Sequence, residues 1–253
     1  MNLAFLGRNG SIQSATSSNT SLFLRDGSAN ILVDASGSPV QALAKLGIKA
    51  EELDALILTH GHTDHLYALP SLVHNLWLLK RTDPLRIIGN EDTLREAKAL
   101  CAIFGLEKKQ SFFGIVWEEA HPLHIKSLSF SFFPTDHGVP TTGFVCKGPN
   151  AKLTYVPDSR PITLPPEANR SNVLVHEATG SLSMREALAR SGHSCGYDAA
   201  ICADAIQAKT LYLVHLPADR RTNKTIRQEA VSRFPASFIP RLSKWIHIGE
   251  SHA

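Results

Sequence analysis

Three histidines and one aspartate lie within six consecutive residues of the chain, His60-Gly61-His62-Thr63-Asp64-His65. Imidazole and carboxylate groups are the ligands that zinc and other first-row metal ions accept in proteins. An H-x-H turn directs two imidazoles at one point, and the Asp64-His65 pair that follows can serve a neighbouring point. Four potential ligands on one turn therefore predict a site for two metal ions.

A histidine-rich surface loop, or a tract of the kind used as an expression tag, is the alternative interpretation of residues 60–65. Such tags lie at chain termini, whereas this segment is internal. The apolar run at residues 53–59 predicts a strand that leads into it, and the pattern of residues 66–79 predicts a helix that leaves it. A position between two regular elements favours the metal site.

Two metal ions need more ligands than one turn supplies, and we expect them at strand ends, where loops carry functional residues. Three polar residues each follow an apolar run: His137 after residues 128–133, Asp158 after residues 153–156, and His215 after residues 211–214. Each one stands at the end of its predicted strand, as His60 does at the end of its own.

The elements that must hold these residues alternate along a chain of 253 residues, 43% of them hydrophobic and 19% charged. Strands are predicted at residues 3–6, 21–24, 31–34, 55–59, 85–88, 127–133, 143–146, 153–156, 173–175 and 211–214. Helices are predicted at residues 40–46, 66–79, 91–104, 197–208 and 224–234. No linker or repeat divides the chain, so we predict a single α/β domain over residues 1–253, with a two-sheet core and helices outside.

Composition excludes several classes of protein. No segment approaches the roughly 20 apolar residues that a membrane span needs, and the apolar stretch within residues 1–10 is too short for the hydrophobic region of a secretory signal. The four cysteines, which contain no C-x-x-C pair, fit reduced thiols in a cytoplasmic protein: Cys101, Cys146, Cys195 and Cys202. The net charge of +3 neither demands nor excludes a nucleic-acid partner.

The order of these motifs resembles the metallo-β-lactamase superfamily of αββα hydrolases over nearly the whole chain. It is most similar to the phosphodiesterase branch that contains tRNase Z, the endonuclease that trims transfer-RNA 3′ ends. Further segments with counterparts in that branch are Asp136-His137-Gly138, Tyr155-Val156-Pro157-Asp158-Ser159, His176-Glu177-Ala178-Thr179 and Gly192-His193-Ser194. The resemblance implies an α/β fold of the αββα four-layer metallo-β-lactamase sandwich type.

The resemblance also implies the distribution of metal ligands. One zinc ion would be held by His60, His62 and His137, and the other by Asp64, His65 and His215, with Asp158 as the bridge. Manganese or iron would accept the same ligands. Two such ions acidify a water molecule for attack on phosphorus, and Asp64 would orient it or accept its proton. Asp34 would accept the N–H of a ligand imidazole.

Glu177 and His193 are the second informative feature of the resemblance. A phosphodiester with a poor alkoxide leaving group needs a proton donor as well as a nucleophile. His193 would protonate the leaving oxygen, and Glu177 would orient His193 and keep it charged. The alternative is that His176 and Glu177 close a strand in a buried polar network and that His193 caps a helix beginning near Gly196. We assign no ligand role to the remaining histidines, namely His74, His121, His124, His247 and His252.

The chain also departs from the tRNase Z pattern. In tRNase Z a long arm that grips transfer RNA is inserted between the counterparts of His137 and Asp158, whereas only residues 138–157 separate them here. The arginine usually found four residues after the last histidine is replaced by Asp219. These departures leave the metal chemistry intact and put the substrate in question.

We therefore predict a dinuclear zinc hydrolase of phosphodiesters, acting on an RNA 3′ end or on a small or cyclic nucleotide diester. A hydrolase of lactones, thioesters or β-lactams is the alternative, but it needs no Glu177–His193 pair. A non-catalytic, metal-stabilised binding module is a third possibility, although structural zinc sites usually have four closed ligands. Residues 66–79 could form a homodimer contact or a buried core helix.

Overall fold

Two β-sheets form the centre of the computed structural model, which describes residues 1–249. The strands are β1 (Asn2–Gly7), β2 (Ser21–Asp26), β3 (Ala29–Val33), β4 (Ala55–Ile57), β5 (Leu85–Gly89), β6 (Ile115–Glu119), β7 (Leu123–Ile125), β8 (Leu128–Thr135), β9 (Thr141–Gly148), β10 (Ala151–Val156), β11 (Val173–Glu177), β12 (Thr210–Val214), β13 (Ser237–Phe238) and β14 (Ile246–His247). The first sheet has the order β14-β1-β2-β3-β4-β5-β6, and the second β13-β12-β11-β10-β9-β8-β7.

Helices cover the outer face of each sheet. They are α1 (Pro39–Lys45), α2 (Thr63–Leu66), α3 (Leu69–Leu78), α4 (Glu91–Ile103), α5 (Arg185–Ser191), α6 (Gly196–Ala205) and α7 (Arg220–Arg233). One apolar cluster, which includes Phe5, Phe144 and Tyr155, lies between the two sheets. A second cluster joins the first sheet to α1, α3 and α4, and a third joins the second sheet to α6 and α7. These three apolar interfaces separate four layers, so the predicted αββα sandwich is confirmed.

The predicted helix over residues 66–79 is wrong in detail, because the structure divides the segment. α2 ends at Leu66, and α3 begins at Leu69 after a break at Tyr67 and Ala68. Pro70 lies in the first turn of α3. Proline has no N–H to donate to a preceding turn, so it is tolerated there and not in a helix interior. The break leaves α2 as a short separate turn that carries Asp64 and His65.

The strands β6, β7, β13 and β14 and the helix α5 were not among the predicted elements. β6 is an edge strand whose half-exposed residues, including Glu118 and Glu119, show no clean apolar alternation. β13 and β14 contain two residues each, which is too short for a periodic pattern.

β9 and β10 form a direct antiparallel hairpin in which Gly148 pairs with Ala151. The segment between His137 and Asp158 therefore holds this hairpin and no long protruding arm. All four cysteines are buried and unpaired. Within the described residues we find no helix that is both long and apolar enough to cross a membrane.

Candidate metal centre

Strand ends of both sheets meet at one edge of the sandwich and carry the candidate ligands. β3 and β4 are parallel neighbours, and Asp34 and His60 follow them. In the second sheet β10, β11 and β12 are parallel, and Asp158 and His215 follow the first and the last of them. His62, Asp64 and His65 lie on α2 or immediately before it.

The ligand-type atoms form two adjacent groups. One group contains His60, His62, His137 and Asp158, the other contains Asp64, His65 and His215, and the chosen atoms within each group lie within 4.8 Å of one another. A third group, Asp158, His193 and His215, overlaps them. The arrangement agrees with the division of ligands that the sequence resemblance implies.

Asp158 lies between the two groups. Its Oδ2 atom is 3.8 Å from His60 Nε2 and 3.9 Å from His137 Nε2, both in the first group. In the second group, Oδ1 is 3.6 Å from His65 Nε2 and Oδ2 is 3.2 Å from His215 Nε2. A carboxylate that faces both groups is suited to bridge two cations.

Several buried polar atoms of these residues have no hydrogen-bond partner within the described residues: His60 Nε2, Asp64 Oδ2, His65 Nε2, Asp158 Oδ1 and His215 Nε2. A buried polar group without a partner costs roughly 1–3 kcal/mol. Five such atoms converging on one place are unfavourable unless a cation satisfies them. Imidazole and carboxylate donors suit zinc, so these residues fit two divalent metal ions.

Hydrogen bonds fix the tautomers of four ligand-type histidines. His65 Nδ1–H donates to Asp34 Oδ2 at 2.8 Å, and His137 Nδ1–H donates to the Gly192 carbonyl at 2.8 Å. Two threonines do the same for the other pair. Each threonine hydroxyl donates its proton to a carboxylate, so it accepts the Nδ1–H of an imidazole. The distance from His60 Nδ1 to Thr59 Oγ1 is 3.0 Å, and that from His215 Nδ1 to Thr179 Oγ1 is 2.9 Å.

In the neutral form of all four histidines, the Nε2 atom therefore carries no proton and is available as a metal ligand. His62 has a different neighbour at Nδ1, which lies 3.2 Å from the Nε2 atom of His137.

Asp34 and His215 adopt left-handed backbone conformations, with φ of 58° and 54°. Asp and His tolerate that region better than bulkier residues, and such strain is common at functional sites.

Burial and opposite charge act together on the ionisation of the centre. Burial lowers the pKa of His60 and of His137, which favours neutral imidazoles. Burial also acts to lower the pKa of His65, but Asp34 and Asp158 outweigh it and raise the value to about 9. Burial acts to raise the pKa of Asp64 and Asp158, but the surrounding histidines outweigh it and lower the pKa of each carboxylate. Both aspartates are therefore ionised at neutral pH.

Glu177 and His193 form a second constellation beside the centre. Glu177 is fully buried at the end of β11, and its Oε1 atom accepts from His193 Nδ1–H at 3.0 Å. Glu177 also accepts from the Ser159 N–H and from both the N–H and hydroxyl of Thr179. Burial acts to lower the pKa of His193, but the hydrogen bond that it donates to Glu177, together with the charge of that carboxylate, outweighs burial and raises the pKa.

His193 Nδ1 lies 4.0 Å from Asp158 Oδ2, which accounts for the third ligand-type group. Since that nitrogen already donates a proton to Glu177, it is not a free ligand. The alternative of a helix cap is wrong, because the residue that caps α6 is Cys195. The buried hydrogen-bond network around Glu177 matches the strand-closing alternative, and the proton-transfer role of Glu177 and His193 stays a prediction.

The structure brings every sequence-predicted site residue to this one edge. Of the remaining histidines, His74, His121, His124 and His247 belong to none of the ligand-type groups, and His252 lies outside the described residues. Sequence reasoning missed Thr59 and Gly192, which orient His60 and His137. Both are direct sequence neighbours of predicted site residues, and that adjacency was the available signal.

A family model described as a beta-lactamase superfamily domain matches residues 29–216. The chain therefore belongs to this superfamily, and its two-sheet sandwich is that of the metallo-β-lactamase fold. The crystal structure of the short form of human tRNase Z superimposes with a TM-score of 0.82 at 20% identity, covering 99% of this chain and 100% of that one.

Curated relatives carry a consistent name. Ribonuclease Z of Methanothermobacter thermautotrophicus is 25% identical over 291 residues, covering 94% of this chain and 93% of the relative. Ribonuclease Z of Mycobacterium sp. strain KMS is 29% identical over 199 residues, covering 70% and 68%. The alignment with the Methanothermobacter protein spans 291 positions but only about 238 residues of this chain, so about 50 positions are occupied in the relative alone.

Proposed function

We propose that this protein is a dinuclear zinc phosphodiesterase, similar in chemistry to ribonuclease Z, that acts on an RNA 3′ end or on a small or cyclic nucleotide diester. The observation that carries the proposal is the hydrogen-bonded Glu177–His193 pair beside a centre that fits two cations. A general acid next to a two-metal site matches the needs of a diester with a poor leaving group. The shared name of the curated relatives supports the same reaction class.

The ligands would be His60, His62 and His137 for one ion, Asp64, His65 and His215 for the other, and Asp158 for both. The bound ions would lower the pKa of a water molecule and neutralise charge on the phosphoryl oxygens. Asp64 would orient that water and accept its proton, because its ionised Oδ2 atom faces the centre without a hydrogen-bond partner among the described residues.

His193 would act at the bond between phosphorus and the leaving oxygen. Its Nδ1–H is committed to Glu177, so the proton available to the leaving oxygen is the one on Nε2. Glu177 stabilises the imidazolium form, which is the form that can donate. As the bond between phosphorus and the leaving oxygen breaks, His193 would transfer this proton and release an alcohol instead of an alkoxide.

The short β9–β10 hairpin bears on the substrate. A transfer RNA needs many phosphate contacts, and affinity falls when the basic surface that makes them is missing. Small or flexible diesters are therefore favoured over whole transfer RNA in this proposal.

A parallel assay of the zinc-loaded protein tests the proposed function. The substrates are bis-p-nitrophenyl phosphate, a 2′,3′- and a 3′,5′-cyclic nucleotide, a precursor transfer RNA, a thioester and a lactone. We expect turnover of diesters that disappears in Asp64→Ala, and weak or absent cleavage of the precursor. Turnover of only the thioester or the lactone would overturn the proposal and leave Glu177 and His193 with a structural role.

Two further features are kept as proposals. Exposed apolar side chains at Leu78, Leu79 and Phe104 support a homodimer contact, although α3 also buries Leu72 and its neighbours in the core. Analytical ultracentrifugation of the wild type would reveal a dimer. Four unpaired thiols support a cytoplasmic location.

A further inference from the structure

A cleft of about 530 Å³ adjoins the metal centre. His62 and Asp64 form one part of its wall, and Ser11, Gln13 and Tyr67 form another. Apart from His62 and Asp64, no side chain that lines it is ionisable at neutral pH. A chain of phosphates needs lysine or arginine contacts, which this wall lacks, so the cleft suits an uncharged polar group attached to the reacting phosphate.

The hydroxyl of Tyr67 is fully committed to the protein. It accepts from the Gly37 N–H at 2.7 Å and from Gln13 Nε2 at 2.7 Å, and it donates to Asn19 Oδ1 at 3.2 Å. The residue is nevertheless 38% exposed. Because the hydroxyl is occupied, the surface that Tyr67 offers to a ligand is its aromatic ring, held in one orientation.

Gln13 is held in a similar way. Its Nε2 group donates to Asn19 Oδ1 at 2.8 Å and to Tyr67 Oη, which uses both protons. Reversing the amide would place two oxygens against each other at Asn19, so this orientation is the one that the network requires. The Oε1 atom of Gln13, a residue that lines the cleft, is not used in this network and is available as a hydrogen-bond acceptor. Asn19 secures the loop by donating to the carbonyls of Gly10 and Ser11.

We propose that this cleft is a nucleoside subsite, in which the base stacks on Tyr67 and Gln13 Oε1 accepts a hydrogen bond from a base N–H or a ribose hydroxyl. A rigid aromatic ring and a fixed acceptor are the features that recognise single nucleotides. Neither Glu177 nor His193 lines the cleft, so it holds the nucleoside that stays on phosphorus and not the leaving alcohol. The inference rests on the proposed phosphodiesterase function and names its substrate class.

Two diesters with the same leaving group test the subsite: thymidine 5′-(p-nitrophenyl phosphate) and methyl p-nitrophenyl phosphate. Water adds to phosphorus and p-nitrophenolate leaves in both, so only the retained group differs. We expect the wild type to favour the thymidine ester in kcat/KM by roughly 5- to 150-fold, the range of one base stacked on an aromatic ring. Tyr67→Ala and Gln13→Ala should each lower this ratio, and Gln228→Ala, an exposed glutamine on α7, should keep it.

A wild-type ratio near one, or a ratio unchanged in Tyr67→Ala and Gln13→Ala, would overturn the subsite while leaving the phosphodiesterase intact. Failure of both esters would instead count against the proposed function. Saturation-transfer NMR with thymidine and metal-free protein reports on the cleft without catalysis. We expect transfer to the base protons in the wild type and its loss in Tyr67→Ala, whereas no transfer in the wild type would contradict the subsite.

Discussion

The hydrogen bond between His193 and Glu177 leads to a prediction about leaving groups. In His193→Ala the loss of a general acid should slow hydrolysis of a dinucleotide by about 10²- to 10⁴-fold. Hydrolysis of bis-p-nitrophenyl phosphate should fall far less, because p-nitrophenolate leaves without protonation. Steady-state rates on both substrates measure the difference. His124→Ala, at an exposed histidine that belongs to none of the ligand-type groups, is the control, and equal losses on both substrates would remove the acid assignment.

Asp34 accepts the Nδ1–H of His65 and two hydrogen bonds from Thr59, one from its N–H and one from its hydroxyl. Asp34→Asn replaces a charged acceptor with an amide and weakens the orientation of both neighbouring imidazoles. We expect zinc affinity to fall by about 10- to 100-fold, as measured by competition with a chromophoric chelator. The exposed Asp83→Asn should bind zinc as the wild type does. Unchanged affinity in Asp34→Asn would show that His65 needs no such partner.

Individual residues also show how much of the candidate site could be predicted from the sequence. The motif at residues 60–65 is dense enough to predict metal binding by itself, and His137, Asp158 and His215 follow from their places after apolar runs. The hydroxyl of Thr179 could not be assigned in this way. Its role depends on the register between β11 and β12, which brings Thr179 next to His215 only in the folded sheet.

At the scale of elements, the C-terminal end of α5 orients one candidate ligand, His137. Gly192 ends this helix with φ of 88°, its carbonyl accepts the Nδ1–H of His137, and a Cβ atom at this position would lie 2.8 Å from His137 Nδ1. Gly47, which follows α1 with φ of 73°, has no atom within 4 Å of the same position. The two glycines therefore separate backbone strain from ligand displacement.

Alanine at either glycine should cost about 1–2 kcal/mol of folding stability, because both positions are left-handed. Only Gly192→Ala should also weaken zinc binding, since His137 must move. Urea unfolding and zinc titration of the two variants measure the two effects. Wild-type zinc affinity in Gly192→Ala, or weakened binding in Gly47→Ala, would contradict this role for the end of α5.

Apolar runs predicted the buried strands well, because β3 and β11 are buried along their whole length and each contains a continuous apolar run, at residues 31–33 and 173–175. Residues 66–79 were harder. Their apolar pattern continues across the break at Tyr67, and the position of Pro70 was the only local sign of a new helix. β6 was missed because an edge strand has no need of a fully apolar face.

At the scale of the whole molecule, strand and helix order predicted two sheets with outer helices, but the four-layer arrangement came from the resemblance. Periodicity does not say which strands pair across a distance. β1 pairs with β14, for example, so the two ends of the described chain meet in one sheet. A second long-range contact joins residues 8–20 to the loop after β12, where the Gly10 N–H donates to the Leu216 carbonyl beside His215.

The number of metal ions needed for catalysis tests the central claim most directly. Metal-free protein is titrated with zinc while bound zinc and diester hydrolysis are followed together. The account predicts that activity rises with occupancy of a second ion per chain, and that Asp158→Asn, which loses the bridging carboxylate, binds fewer ions and stays inactive. Full activity with one ion per chain, or with Asp158→Asn, would contradict a dinuclear phosphodiesterase.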